Sequence, residues 1–297
     1  MSVVNDSPTA RHRAGTPDPA TAPQPSGRRG AANLAVTQRR VIGSEWIKLR
    51  TVRSWMILIA AAAVLLVAFG ALAASVATGA VTPENGGRPG GGPFASTDPT
   101  TLSLAGVGLA QLLLGILGVL FISNEFANGM IRSTFAAVPR RLPVLWAKAV
   151  VLAVLLAVVM VIAAVVAFSV GQLILGEGRN AALTADGVLR AVVGSGLYLA
   201  GIGVMGIAIG ALLRNTAGAI AVVVAALLIV PGLIRVVLPD AWSADISPYL
   251  PSNAGSAFTS VSSSTTLLSP AVGAAVFAGW LVVLLVGAAV ALRRRDA

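Results

Sequence analysis

Apolar residues in this chain do not alternate with polar ones; they run in long blocks. Six blocks, at 55–78, 102–122, 145–175, 188–213, 217–238 and 271–292, hold very little charge. An α-helix needs ~20 apolar residues to cross the hydrocarbon core of a bilayer, so the pattern predicts six membrane-spanning helices. The third block is the longest and is expected to tilt or to extend past the bilayer. The fourth and fifth are parted only by Arg214, Asn215 and Thr216. One continuous helix there would draw Arg214 into the bilayer centre, which is costly, so a tight turn is expected instead.

Ahead of the first block the pattern changes. Residues 34–53 read as an amphipathic helix with Ile42, Trp46 and Leu49 at the helical spacing i, i+4, i+7. Arg39, Arg40, Lys48, Arg50 and Arg53 supply its basic part, although Arg53 falls near the apolar face. Such a helix lies in the membrane interface, with Trp46 and Trp55 at headgroup level. Residues 1–33 carry Pro8, Pro17, Pro19, Pro23 and Pro25 among small polar residues and Arg. That segment cannot bury a core and is expected to be disordered. The first apolar block begins only at Trp55, so no cleaved signal peptide is expected.

Between the blocks, 80–101 is rich in Gly and Pro and expected to be flexible, and 176–187 is short. The segment 239–270 scatters Trp242, Tyr249, Leu250 and Phe258 through polar sequence. It is expected either to lie on the membrane surface or to dip back into the protein. Backbone outside a spanning helix can dip in only where protein or water satisfies it.

Composition agrees with the pattern. Only 11% of the 297 residues are charged and 56% are hydrophobic, with a mean hydropathy of +0.87. Soluble domains carry roughly 25% charged residues, so too little polar surface exists here to coat a soluble globule. The expected fold class is therefore an all-α integral membrane protein, with residues 54–297 as its transmembrane domain. Cysteine is absent and the single His, His12, lies in the tail, which excludes disulfides, thiol chemistry and multi-His metal sites.

The net charge of +10 comes from residues that flank the apolar blocks, a topology signal and not a nucleic-acid patch. With the blocks alternating in direction, 17 of the 21 basic residues fall on the side that holds both termini; Arg88, Arg179, Arg190 and Arg235 fall on the other. The positive-inside rule makes the first side cytoplasmic, in a multi-pass cell-membrane protein. Lys48 and Lys148 are the only lysines beside many arginines, alanines and glycines, a GC-rich bacterial bias.

Chemistry inside the blocks is sparse. Gln111, Ser169, Gln172, Ser195 and Tyr198 are the main polar groups. Ion-coupled transport usually needs intramembrane acids or histidines, and none lies deep. Ser195, between two glycines, has no His or Lys at depth to activate it and reads as a packing residue. Gln111 and Gln172 read as interhelical hydrogen-bond partners, with Gln111, Gln172 and Tyr198 the residues that could line a substrate path. Gly196, Gly203 and Gly210 recur every seven residues, with Gly206 beside them, as an intramolecular packing face or a homodimer seam. No Gly-Lys-Ser/Thr phosphate loop exists around Lys48 or Lys148, so the chain is not expected to be an ATPase or another enzyme, or to bind a cofactor itself.

The segment joining the second and third blocks carries the most information. Glu125 sits near the C-terminal end of a helix, where a negative charge opposes the helix dipole and calls for a cationic partner. After Gly129 a short helix can expose Ile131, Arg132 and Phe135 before Pro139 stops it; Arg140, Arg141 and Lys148 follow. This resembles the permease subunit of type-2 ATP-binding-cassette (ABC) exporters, whose Glu-x-x-x-Gly-Thr-x-Arg pattern follows the second span. Glu125, Gly129, Arg132, Pro139, Arg140, Arg141 and Lys148 match that pattern, while Met130 replaces its Thr. The stretch from Ser44 to Ser54, with Glu45, Trp46, Lys48 and Arg50, is similar to the family's entry helix. Tyr249 to Gly255 is similar to its segment before the last span.

The resemblance implies a short cytoplasmic coupling helix that docks on a separate ABC ATPase subunit. It assigns coupling to Glu125, Gly129, Ile131, Arg132, Phe135, Arg140 and Arg141, with ATP and Mg on that partner. It further implies pairing of two six-helix permeases, as a homodimer or a heterodimer, and export of an amphipathic or hydrophobic compound. The competing reading is a non-transporting membrane anchor or sensor subunit; a lipid-modifying enzyme is disfavoured by the missing acids, bases and metal ligands.

Overall fold

The structure, a computed structural model, describes residues 38–80, 97–127, 141–261 and 267–294. All regular structure among the described residues is helical. In chain order the elements are α1 (Gln38–Thr51), α2 (Arg53–Thr78), α3 (Pro99–Ser103), α4 (Val107–Ala127), α5 (Arg141–Leu175) and α6 (Val188–Leu213). Next come α7 (Thr216–Val224), a π-turn (Ala225–Ile229) and α8 (Val230–Val237), then α9 (Asp240–Ile246), α10 (Pro251–Thr259) and α11 (Pro270–Arg294). Among the described residues, six helical stretches are long and apolar enough to cross a membrane: α2, α4, α5, α6, α7 continued through α8, and α11.

α6 is the hub. It packs most extensively against α4 and α5, and also against α7, α10 and α11. The glycines that recur along it explain why. A Cβ at Gly206 would strike the Gly115 carbonyl oxygen on α4, and one at Gly118 on α4 would strike the Gly203 carbonyl oxygen. The two backbones therefore meet without side chains between them, the close approach that small residues permit inside membranes. The heptad glycines face α4 and α5 of the same chain, so they form an intramolecular packing surface.

The turn between α6 and α7 is tight, as expected. Arg214 closes α6 in the left-handed region at φ 51°, its N–H bonding to the Gly210 carbonyl. Asn215 then caps α7 by accepting the Gly218 N–H at 2.9 Å.

Two span boundaries move and one span is broken. The second span begins at Val107, not 102, because Asp98 caps a separate short helix: its carboxylate accepts the Thr101 N–H at 2.9 Å, with Pro99 at the first helical position. The third span begins at Arg141 instead of 145. The fifth is not one regular helix. Pro231 has no N–H to offer, and the turn ahead of it widens, so that the Val230 N–H reaches back five residues to the Ala225 carbonyl.

At the end of the bundle away from α1, two short helices fold back among the spans. α3 enters between α2 and α5, where Ser103 lies against Gly70 and Gly171. α10 packs between α6 and α11, with Gly255 on the ring of Tyr198 and Phe258 beside Gly194. Of the two placements expected for 239–270, α10 adopts the inward one. Trp242 and Tyr249, ahead of it, stay exposed.

Candidate functional site

Polar side chains hold the folded-back helices in place, as non-spanning backbone at membrane depth requires. At the start of α10, Asn253 Nδ2 donates to the Ser247 carbonyl and Oγ, each at 2.8 Å. At its far end the Arg190 guanidinium donates to the carbonyls of Phe258 (3.3 Å) and Ser260 (3.1 Å). α3 is held by Gln172, whose amide donates to Ser103 Oγ (3.0 Å) and the Pro99 carbonyl (3.3 Å) while its oxygen accepts the Ala181 N–H (2.6 Å). Arg179 reaches the Ala77 carbonyl at 2.7 Å, at the end of α2. Arg179 and Arg190, both on the side poor in basic residues, thus serve carbonyl ends of helices, where a cation is favoured.

Between α3 and α10 lies a pocket of about 320 Å³. Thr101, Leu104 and Ala105 come from α3 and the turn after it, and Val107, Gly108 and Gln111 from α4. Ser195 and Tyr198 on α6 form another wall, and Ser252, Ser256, Thr259 and Ser260 on and just after α10 form the last. The Tyr198 hydroxyl donates to Gln111 Oε1 at 2.5 Å, joining α6 to α4. Behind it the rings of Tyr198, Phe258 and Phe277 pack together, centroids 5.1–6.3 Å apart, so the wall is backed by an aromatic cluster.

Of the three residues expected on a substrate path, Gln111 and Tyr198 therefore meet at this pocket, whereas Gln172 is engaged in holding α3. Ser195 donates to the Ala191 carbonyl of its own helix at 2.8 Å, a packing arrangement with no activating base. Sequence reasoning missed the α10 wall. Its signal was present: Ser252, Ser256 and Ser260 recur every four residues and so mark one helical face.

The opposite end of the bundle carries a different feature. Lys148 Nζ, on the second turn of α5, lies 2.7 Å from Glu45 Oε2 on α1, and both side chains are buried. The ammonium also sits 4.4 Å from the centre of the Phe121 ring on α4. Phe121 in turn meets Trp55 edge-on at 5.6 Å, so Trp55 is packed inside and not displayed as a headgroup anchor. Glu45, read from sequence as part of an interfacial face, instead points with Leu49 into the bundle. Trp46, 39% exposed, turns away from it.

α1 thus grips the first turns of α5 through a buried ion pair. Glu125 and Arg141 occupy the end of α4 and the start of α5, but their side chains, like those of Lys48 and Arg50, lie outside the described residues. Gly129, Ile131, Arg132, Phe135 and Arg140, and the tail 1–33, lie outside them altogether.

A family model described as ABC-2 family transporter protein matches residues 41–232 of the chain. No curated protein matches it.

Proposed function

The chain belongs to the ABC-2 transporter family, and from that premise we propose that it is the permease subunit of an ABC exporter. It forms the path for an amphipathic or hydrophobic substrate and is driven by a separate ATPase. One observation carries the reading: the family match runs from α1 through most of the fifth span, and so takes in both the entry helix and the loop between α4 and α5. Membership in this family implies pairing with an ABC ATPase in general. In our reading Ile131, Arg132 and Phe135 dock on that ATPase, while Glu125, Gly129, Arg140 and Arg141 set the loop's shape. Closure of the ATPase on ATP and Mg then pushes on the start of α5, and the buried Glu45–Lys148 pair makes α1 move with it. Two permeases pair, and both termini face the cytoplasm of a bacterial cell, which the distribution of 17 of 21 basic residues supports. Reporter fusions after Ala297 and within 86–92 are expected on opposite sides of the membrane; the same side for both removes the topology.

The test of coupling is co-purification with the ATPase and substrate-stimulated ATP hydrolysis at matched membrane levels. Phe135→Ala removes an aromatic anchor, which at an interface can be worth ~2 kcal/mol or more. It is expected to weaken ATPase association, and Arg132→Glu to weaken it further, while Ser262→Ala changes neither. Full coupling in both loop variants excludes this loop as the transmission element. Absence of any associated ATPase leaves the anchor or sensor role.

A further inference from the structure

Five of the seven hydroxyl groups lining the pocket are biased in what they can still offer a ligand, while Ser252, Thr259 and the Gln111 amide keep protons to donate. Ser195 donates its proton to the Ala191 carbonyl (2.8 Å), Ser256 to the Ser252 carbonyl (3.0 Å) and Ser260 to the Ser256 carbonyl (2.7 Å). Tyr198 donates to Gln111 Oε1, and Thr101 to the Asp98 carboxylate at 3.3 Å. A hydroxyl whose proton is committed in this way keeps only its lone pairs for a ligand. Ser252 Oγ adds to the same wall and is buried with no hydrogen-bond partner. A buried polar group without a partner is costly and calls for one. Among the described residues, those lining the pocket include no Lys, Arg, Asp or Glu. The nearby Arg190 guanidinium is held by the carbonyls at the end of α10.

These facts sort ligands by charge. An anionic head would meet a few neutral donors, on Ser252, Thr259 and Gln111, but no cation to offset its lost hydration. A cationic head would find acceptors, but the nearest carboxylate, Asp98, lies behind Thr101 and is engaged by its N–H and hydroxyl, and burying an unpaired charge is the more expensive error. A neutral head carrying O–H donors meets what the wall offers, and Ser252 gains its missing partner. Leu104, Ala105 and Val107 give the remaining surface an apolar character suited to an alkyl body. The volume lies near the small end of the ~300–1,000 Å³ typical of ligand sites, enough for a compact head and not for a polymer.

We propose that the pocket between α3 and α10 binds the neutral, hydroxyl-rich head of an amphiphile, a sugar or polyol joined to an alkyl or acyl chain. This deepens the permease reading, and depends on it only for the claim that the bound molecule is transported.

The probe is radiolabelled octyl glucoside, below its micellar concentration, added to the full chain in phosphatidylcholine nanodiscs prepared without glycoside detergents. Empty nanodiscs set the partitioning background. Saturable binding above that background is expected. Ser252→Ala is expected to weaken it about two- to tenfold, the range of one hydrogen bond. Gly108→Leu is expected to abolish it: a Cβ there meets no atom within 4 Å, so the new side chain can enter the pocket without straining the fold. Octyl phosphate and octyl trimethylammonium, with the same tail, should compete at least tenfold less well than unlabelled octyl glucoside. Competition as strong by either charged amphiphile overturns the assignment. So does binding that Gly108→Leu and Ser252→Ala leave unchanged, or no saturable binding at all. The measurement needs no ATPase. Lost glucoside binding with intact ATPase coupling therefore rejects the ligand class alone, and normal binding without an ATPase supports the ligand class while rejecting the permease reading.

Discussion

The fourth and fifth spans are both continuous apolar blocks, and the fifth is the more hydropathic of the two. Yet 83% of the fourth span's most apolar window is buried within the protein, against 17% of the fifth's. In water the more apolar segment would be driven inside; in a bilayer lipid tails solvate Leu and Val as well as protein does. Burial follows small residues instead. α6 presents Gly196, Gly203, Gly206 and Gly210 to α4 and α5, so its backbone can be approached. The fifth span shows Val222, Leu228, Ile229 and Leu233 to the outside and carries Pro231. What packs a membrane helix is thus the absence of side chains as much as their apolarity.

The largest effect that tests this contrast is a matched pair of glycine substitutions. Gly206→Leu must push α4 from α6, since its Cβ would already strike the Gly115 carbonyl oxygen. Backbone cannot yield as a side chain can, so folded protein recoverable from membranes is expected to fall severely. Gly232→Leu, where a Cβ meets nothing within 4 Å, should leave recovery unchanged. Equal losses at both sites would break the comparison.

Next in size is the buried ion pair on the packed side. Lys148→Met leaves Glu45 charged without its ammonium, and breaking a buried pair in this way costs about 3–5 kcal/mol. Adding Glu45→Gln should recover most of that loss, which thermal unfolding in nanodiscs reads directly. A double variant no better than the single one would show that the charges are not coupled.

A smaller and local effect is expected at Arg190. Arg190→Leu removes the donors on the end of α10, and hydrogen bonds to a charged group contribute about 1.5–3 kcal/mol. Hydrogen exchange should quicken in 251–260 while α6 stays protected; uniform quickening would mean that α10 is not a separate unit. Smallest of all is Val282→Leu on the exposed face of α11, where a change within about 0.5 kcal/mol is expected. A loss above 1 kcal/mol would show that this face is packed against something other than lipid.

Legibility in the sequence varied with the range of the interaction. The turn at Arg214 could be read because burying a charge is costly wherever the chain goes. The split at Asp98 could have been read from an Asp-Pro pair, a local capping signal that the Gly- and Pro-rich stretch ahead of it obscured. The Glu45–Lys148 pair is 103 positions apart, and only one half of it was visible. Lys148 lies inside the third apolar block, and a lysine there needs an acid; which acid could not be read from spacing. Gln111 and Tyr198 stood out as polar residues in apolar runs, but their meeting, and the serine wall opposite, depended on where α10 folded back.

By itself, then, the sequence determined the six spans, the turn between the fourth and fifth, the polar entry helix and the basic asymmetry between the two sides. Each follows from transfer of local segments between water and lipid, which depends on composition within ~20 residues. Only the tertiary structure decided which span is central, that Glu45 faces inward while Trp46 does not, and that two folded-back helices border a hydroxyl-lined pocket. Those outcomes rest on backbone approach at glycines and on the need of every buried polar group for a partner, and both are satisfied by residues far apart in the chain.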